Sequence, residues 1–126
     1  MPSVLIIEDD HSIQAILQRI MRNKFGFEIL EAPNAVEGLK LFEKVLPDLI
    51  LLDISMYTDA GIEFLEALTK EPRLKDIPVL VISSNHEKEF IDQMIALGVS
   101  DFILKPIDME YALACIQKEV DRIKNT

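Results

Sequence analysis

The sequence predicts an α/β fold in which one parallel sheet is covered by helices on both faces. Five short apolar runs alternate with five stretches of helical periodicity. This order is typical of strand–helix–strand units and therefore of a parallel sheet. Several of the runs are continuously apolar, as in Leu49-Ile50-Leu51-Leu52, which is the pattern of strands buried on both faces.

Each predicted strand is followed by a predicted helix. The strands are residues 4–7, 27–30, 49–52, 79–82 and 101–104. Asn34 suits the N-cap of the second helix, because its side chain can accept a hydrogen bond from a free backbone N–H. Gly98 suits the end of the fourth helix, where a left-handed conformation is common. Apolar residues spaced three or four apart are expected to face the sheet, and they include Ile16, Val36, Leu46 and Ile95.

The composition indicates one globular domain. With 126 residues, 49% of them hydrophobic and 28% charged, the chain is long enough for one core, and we expect a single domain over residues 1–126. A formal net charge of -9 argues against direct nucleic-acid binding, which relies on Lys and Arg.

The composition also predicts the compartment. The single cysteine, Cys115, excludes an intramolecular disulfide and a cysteine zinc site, and it fits a reducing cytoplasm. The sequence has no signal-peptide pattern and no apolar run approaching the ~20 residues of a membrane span. We therefore expect a cytoplasmic protein without a membrane partner.

Chemically reactive side chains follow four of the predicted strands. Glu8 and Asp9 follow the first strand, Asp53 the third, Ser83 the fourth and Lys105 the fifth. The carboxyl ends of parallel strands lie along one edge of a sheet, where ligands of such folds bind. If the first and third strands are neighbours, three carboxylates meet at that edge.

Three clustered carboxylates require a counter-charge, because two unit charges ~5 Å apart repel by roughly 3 kcal/mol at an effective dielectric of about 20. Oxygen ligands without a convergent His or Cys favour a hard cation such as Mg²⁺, with Mn²⁺ as the alternative. A carboxylate nucleophile, a metal, the Lys105 ammonium and the Ser83 hydroxyl make a phosphoryl-transfer site. The expected product is an aspartyl phosphate on Asp53.

Four segments carry a resemblance to a known family. They are Val4-Leu5-Ile6-Ile7-Glu8-Asp9-Asp10, Pro47-Asp48-Leu49-Ile50-Leu51-Leu52-Asp53, Ile77-Pro78-Val79-Leu80-Val81-Ile82-Ser83 and Lys105-Pro106. In this order and spacing they resemble the receiver domain of two-component response regulators, of the chemotaxis-regulator kind. The resemblance covers nearly the whole chain. It implies a flavodoxin-like (βα)5 fold, a doubly wound five-stranded parallel sheet with strand order 2-1-3-4-5.

The resemblance also implies a role for each site residue. Asp53 is the implied phosphoacceptor. Asp9 and Asp53 are implied to bind Mg²⁺ directly and Glu8 to bind it through water, and the backbone carbonyl of Ser55 is the implied third protein ligand. Lys105 is the implied phosphate-binding lysine, and a cis peptide bond is expected between it and Pro106.

Further residues are implied to set the switch and the lifetime of the phosphate. Ser83 matches the switch hydroxyl and Phe102 the switch aromatic of the family. Ser55 and Asn85 each lie two residues beyond a site residue, and we expect them to tune autodephosphorylation. The sequence departs from the family at Tyr57, where a proline is usual, and also at Ser84, Phe102 and Ile107.

The function expected from this resemblance is a phosphorylation-driven switch. A histidine kinase or histidine phosphotransfer protein would donate the phosphoryl group to Asp53. The face of helix 4, strand 5 and helix 5 would then repack to control a downstream output protein or domain, or to form a homodimer. Such a protein is not an enzyme in the usual sense, since it catalyses only its own phosphorylation and autodephosphorylation.

Three alternative functions remain open from the residues. The first is a pseudo-receiver that binds partners without being phosphorylated. The second is a phosphatase with chemistry similar to the haloacid dehalogenases, although the second aspartate of such enzymes is replaced here by Ser55. The third is a flavodoxin-like nucleotide-binding module, although the loop after the first strand, Glu8-Asp9-Asp10-His11, would repel phosphate without a metal.

Overall fold

The computed structural model describes residues 1–54, 60–71 and 76–125. Within them, five strands and five α-helices alternate, as the sequence predicts. A π-helical turn, Ile20–Lys24, continues directly from the first helix. The elements are β1 Ser3–Ile7, α1 His11–Arg19, β2 Glu28–Ala32, α2 Ala35–Lys44, β3 Leu49–Asp53, α3 Ala60–Lys70, β4 Val79–Ser83, α4 Lys88–Ala96, β5 Asp101–Leu104 and α5 Met109–Lys124.

The five strands form one parallel sheet in the order β2-β1-β3-β4-β5. The predicted flavodoxin-like architecture is therefore confirmed. The strand order reverses between β1 and β3, which pair directly with Ile7 opposite Leu52. Ligands of open α/β sheets bind at this reversal, so the residues that follow β1 and β3 occupy the place where a site is expected.

Alternate side chains of each central strand enter two separate cores. Val4 and Ile6 of β1 pack with α1 and α5 on one face of the sheet. Leu5 and Ile7 pack with α2, α3 and α4 on the other face. The side chains of a strand alternate between its two faces, so burial on both faces requires the continuous apolar runs seen in the sequence. The sheet is thereby a rigid support for the residues at its carboxyl edge.

Side-chain caps fix where the helices begin. Asp10 accepts hydrogen bonds from the backbone N–H groups of Ser12 and Ile13, at 2.8 and 3.1 Å, and so caps α1. Asn34 accepts from the N–H of Glu37 at 2.9 Å and caps α2, as predicted. Because the cap of α1 lies directly after Glu8 and Asp9, it also limits the freedom of that acidic turn.

Some predicted positions are wrong. β2 begins and ends later than the predicted residues 27–30. Four residues expected to face the sheet are exposed instead: Ile16, Val36, Leu46 and Ile95. Leu46 lies beyond the end of its helix at Lys44. In the other three cases, neighbouring residues occupy the inward positions of the helix. Of the helices in the described ranges, none is both long and apolar enough to cross a membrane.

The end of α4 provides a test of the backbone geometry. Gly98 adopts φ +88°, and its N–H donates to the carbonyl of Ile95 at 3.0 Å. A Cβ at this position would contact nothing within 4 Å, so a substitution is penalised through the backbone alone. Gly98→Ala should lower the free energy of unfolding by roughly 1–2 kcal/mol, measured by urea denaturation.

Gly98→Asn is the matched control, since Asn tolerates the left-handed region better than Ala. The loss should be smaller for Asn than for Ala. Equal losses for both variants would contradict a conformational origin.

Candidate functional site

Three carboxylates meet where β1 and β3 end. Glu8 and Asp9 follow β1, and Asp53 is the last residue of β3. One oxygen from each of the three carboxylates lies within 4.8 Å of the others. The pairing of β1 with β3 produces this cluster, because it aligns the last residues of the two strands at the same edge of the sheet.

The three carboxylates differ in their exposure. Glu8 is only 3% exposed. The side chain of Asp53 retains 11% of its accessibility, and Asp9 is exposed. The cluster is therefore a shallow cleft whose floor is Glu8 and whose rim is Asp9, with Asp53 reachable from solvent between them.

Lys105 brings a positive charge to this cleft from β5. Its Nζ lies 3.0 Å from Oδ1 of Asp53 and 3.5 Å from Oε1 of Glu8. Its backbone N–H donates to the carbonyl of Ser83 at 2.9 Å, which holds the residue beside β4. The peptide bond between Lys105 and Pro106 is cis, as predicted. Burial alone would lower the pKa of Lys105, but the carboxylates of Asp53 and Glu8 outweigh it and raise the pKa above its ordinary value.

Ionisation of Glu8 is disfavoured in the cluster. Burial, followed by the hydrogen bond and negative charge of Asp53, raises the pKa of Glu8 from 4.5 to about 8, and Lys105 opposes this only in part. Within the described ranges, Oε2 of Glu8 is a buried oxygen without a hydrogen-bond partner. When both carboxylates are ionised neither can donate to the other, so this oxygen requires either a proton or a cation.

The cluster fits a hard divalent cation. Three carboxylate oxygens lie close enough to share one ion, and the unpartnered Oε2 of Glu8 is a buried acceptor that an ion or its water would satisfy. Ligand sets made only of oxygen suit Mg²⁺, which is commonly bound by one or two carboxylates and retains several waters. The exposure of Asp9 leaves room for those waters.

Ser83 lies on β4, next to the strand of Asp53, and Phe102 lies on β5, one strand further out. Ser83 is fully buried and follows Ile82, the residue paired with Asp53. Its Oγ accepts a hydrogen bond from the N–H of Asn85 at 3.0 Å. Phe102 is half-buried on β5, and its ring packs edge-on against Phe90 of α4, with centroids 5.9 Å apart. The aromatic ring therefore contacts α4 and the serine hydroxyl is held by the loop after β4.

Three further residues singled out by the sequence are Asn85, Ser55 and Tyr57. Asn85 is half-buried, and its Oδ1 accepts from the N–H of Glu87 at 3.0 Å. Ser55 and Tyr57 lie outside the described residues.

Gln14, which the sequence prediction missed, is buried beneath the acidic turn. Its spacing from the buried Leu17 and Met21, three and seven residues, was the available signal, because it places a polar side chain on an inward helix face.

The fold and the acidic cleft together are those of a signalling receiver of the two-component type. The family model of the response regulator receiver domain matches residues 4–117. The chain belongs to this family.

Individual relatives agree with this assignment. The probable C4-dicarboxylate response regulator DctR of Bacillus subtilis is 34% identical over 116 residues, covering 91% of this chain and 50% of the relative. The DNA-binding dual master transcriptional regulator RpaA of Synechocystis is 31% identical over 126 residues, covering 98% and 52%. The chain thus spans about half the length of these curated relatives.

A solved structure shows the same fold. The Vibrio cholerae chemotaxis protein CheY4 superposes with a TM-score of 0.82 and 26% identity, and the match covers 94% of this chain and 98% of CheY4. The five-stranded sheet and its surrounding helices are therefore shared with a receiver of the chemotaxis kind.

The raised pKa of Glu8 predicts how the stability of the metal-free protein depends on pH. The folded state holds the Glu8 proton more tightly than the unfolded chain, so stability is lost as pH rises from 4.5 toward 8. Glu8→Gln removes this loss. Above pH 8 it should raise the free energy of unfolding by on the order of 1–3 kcal/mol, with little gain near the ordinary pKa of a glutamate.

The measurement is urea unfolding in the presence of EDTA, made once near pH 4.5 and once above pH 8. Glu43→Gln is the control, because Glu43 is an exposed carboxylate on α2, and its substitution should have almost no effect at either pH. A Glu8→Gln effect that does not change with pH would show that burial of this charge is not its cause.

Proposed function

We propose that residues 1–126 form one receiver domain that accepts a phosphoryl group on Asp53 with the help of Mg²⁺. The observation that carries this proposal is the position of the Asp53 carboxylate. It lies at the carboxyl edge of the sheet between an acidic pair and the Lys105 ammonium, 3.0 Å from Nζ. It also retains access to solvent, which a phosphorylated donor requires.

The residues of the cleft have distinct tasks in this reaction. An oxygen of Asp53 attacks the phosphorus of a phosphohistidine on a histidine kinase or phosphotransfer protein. The new O–P bond forms as the P–N bond of the donor breaks, and the donor imidazole leaves with a proton from solvent. Lys105 offsets the negative charge on Asp53 and on the incoming phosphoryl oxygens.

The metal would be held by Asp9, by Glu8 through water, by Asp53 and by the backbone carbonyl of Ser55. Mg²⁺, or Mn²⁺ in its place, would supply the positive charge that lets an anionic carboxylate approach an anionic phosphoryl group. The buried Glu8 is fixed in place, and Asp9 is exposed at the opening. This division suits an ion that keeps water and phosphate ligands on its open side.

The proposed response to phosphorylation begins at Ser83. Its Oγ is held by the N–H of Asn85, and a phosphoryl group on Asp53 offers a stronger acceptor nearby. Movement of Ser83 would free space for Phe102 to leave its contact with Phe90 and turn inward. A shift from 1% to 99% active needs about 5.5 kcal/mol, whereas a hydrogen bond to a charged group contributes about 1.5–3 kcal/mol. Lys105 and the metal must therefore contribute as well.

In this proposal, the face formed by α4, β5 and α5 passes the signal to a downstream partner. Repacking of Phe90 and Phe102 would change this face, which would then control a downstream protein or domain or form a homodimer. We propose a cytoplasmic protein that acts through such partners, without contacting nucleic acid or membrane itself. It turns over no substrate beyond its own phosphorylation and autodephosphorylation.

Phosphoryl acceptance can be tested directly by intact-mass measurement. After incubation with Mg²⁺ and a small phosphodonor, the protein should gain the mass of one phosphoryl group, and EDTA should prevent the gain. Asp53→Asn should abolish it, because the amide is not a nucleophile. Asp48→Asn is the control, as Asp48 lies at the opposite end of β3. If the protein never gains this mass, the alternative hypothesis of a pseudo-receiver that binds partners without being phosphorylated is supported instead.

Asn85 is proposed, with Ser55, to control the lifetime of the phosphate. Replacing it with Ala should change the rate of autodephosphorylation several-fold without abolishing acceptance, because the side chain borders the path of the attacking water. The half-time of mass loss after donor removal is the measurement. Its side chain also caps the turn to Glu87, so Asn85→Asp, which keeps an acceptor there, separates the two roles. Equal phosphate lifetimes in the wild type, Asn85→Ala and Asn85→Asp would refute this role of Asn85.

A further inference from the structure

Gln14 is a buried amide on the face of α1 that points at the sheet. It is only 5% exposed. Its Nε2 donates toward three backbone carbonyls, those of Ile6 at 3.2 Å, Glu8 at 3.3 Å and Ala32 at 3.4 Å. These carbonyls lie where β1 and β2 end, so one side chain joins the ends of two neighbouring strands and the turn that follows them.

The backbone of Gln14 binds the same turn a second time. Its N–H donates to the carbonyl of Asp10 at 2.9 Å, while its side chain donates to the carbonyl of Glu8. The residue between these two acceptors is Asp9. One residue of α1 therefore holds the chain on both sides of an exposed carboxylate of the acidic cluster.

A second amide fixes the orientation of the first. Gln18, one turn further along α1, donates from Nε2 to Oε1 of Gln14 at 3.2 Å and also to the carboxylate of Glu31 on β2. With Oε1 occupied by a donor, the Nε2 of Gln14 must face the three carbonyls. The orientation is thus fixed by hydrogen bonding as well as by burial.

We propose that Gln14 is a positioning residue for cation binding at the cleft. It fixes the main chain of the Glu8–Asp10 turn so that the Glu8 and Asp9 carboxylates converge with Asp53, and it touches neither the ion nor the phosphoryl group. The proposal rests on the proposed Mg²⁺-dependent function. Groups that orient metal ligands from behind commonly affect affinity strongly, and the buried carbonyl of Glu8 would lose this donor if the amide were removed.

The test is the Mg²⁺ affinity of Gln14→Met, which keeps the length of the side chain and removes its hydrogen bonds. Isothermal titration with Mg²⁺ alone should show a dissociation constant raised by about tenfold or more. Saturating Mg²⁺ should restore phosphoryl acceptance to the wild-type extent, because every ligand is still present. A loss of folding alone would not produce this separation of affinity from maximal acceptance.

Two further variants complete the comparison. Gln18→Met removes the outer amide and leaves the bond to the Glu8 carbonyl, so its Mg²⁺ affinity should stay closer to wild type. Gln14→Asn retains an amide, but its shorter side chain does not reach the carbonyls, so its Mg²⁺ affinity should resemble that of Gln14→Met. It serves as the test variant if Gln14→Met does not fold. Thermal unfolding without metal checks that each variant is folded.

The outcomes separate this proposal from the proposed function. Wild-type Mg²⁺ affinity in a folded Gln14 variant, with phosphorylation of Asp53 intact, overturns the positioning role alone. Weakened Mg²⁺ binding in the Gln14 variants of a protein that never accepts phosphoryl supports positioning and overturns the function. A wild-type protein that does not bind Mg²⁺ overturns both.

Discussion

The structure depends on the burial of negative charge at the carboxyl edge of its sheet. Hydrophobic packing on both faces brings β1 and β3 side by side, and this pairing forces Glu8 against Asp53 with little access to water. Burial is the main reason that the pKa of Glu8 is raised to about 8, and the hydrogen bond and negative charge of Asp53 add to it. Lys105 lowers the pKa of Glu8 but does not cancel this rise. The fold therefore maintains an electrostatic cost that a bound cation would relieve.

Lys105 also links this charge balance to the far edge of the sheet. Its ammonium contacts both carboxylates, and its backbone N–H is bonded to Ser83. β5, which leads into Lys105, is held from the other side by Tyr111, whose hydroxyl donates to Asp101 and to the carbonyl of Phe102 at 3.3 and 3.4 Å. A change of charge at Asp53 thus acts on a strand whose two sides are both hydrogen-bonded. Displacement of Phe102 would have to work against the contacts from α4 and α5 together.

Much of this arrangement could be predicted from the sequence, for identifiable reasons. Continuous apolar runs identified the central strands β1, β3 and β4, and the residues that follow the predicted strands identified the cleft, because the carboxyl ends of parallel strands share one edge. The exposure of Ile16 and Val36 could not be predicted, since both adjoin the true inward positions and hydrophobicity does not distinguish neighbours on a helix. The hydrogen bonds of Gln14 could not be predicted for a different reason. Its three acceptors are backbone carbonyls from two strands, and backbone positions leave no mark in a residue pattern.

The unequal burial of the acidic pair explains why such a backbone contact matters. Asp9 is exposed, so packing does little to hold its side chain, whereas its main chain is held by the hydrogen bonds from Gln14 to the carbonyls on either side of it. Glu8 needs no such help to hold its side chain, because packing already immobilises it. The acidic pair is consequently buried at the floor of the cleft and open to solvent at its rim. In the proposed reaction, a phosphoryl donor would approach Asp53 from the side of the exposed Asp9 and would leave the buried carboxylate of Glu8 undisturbed.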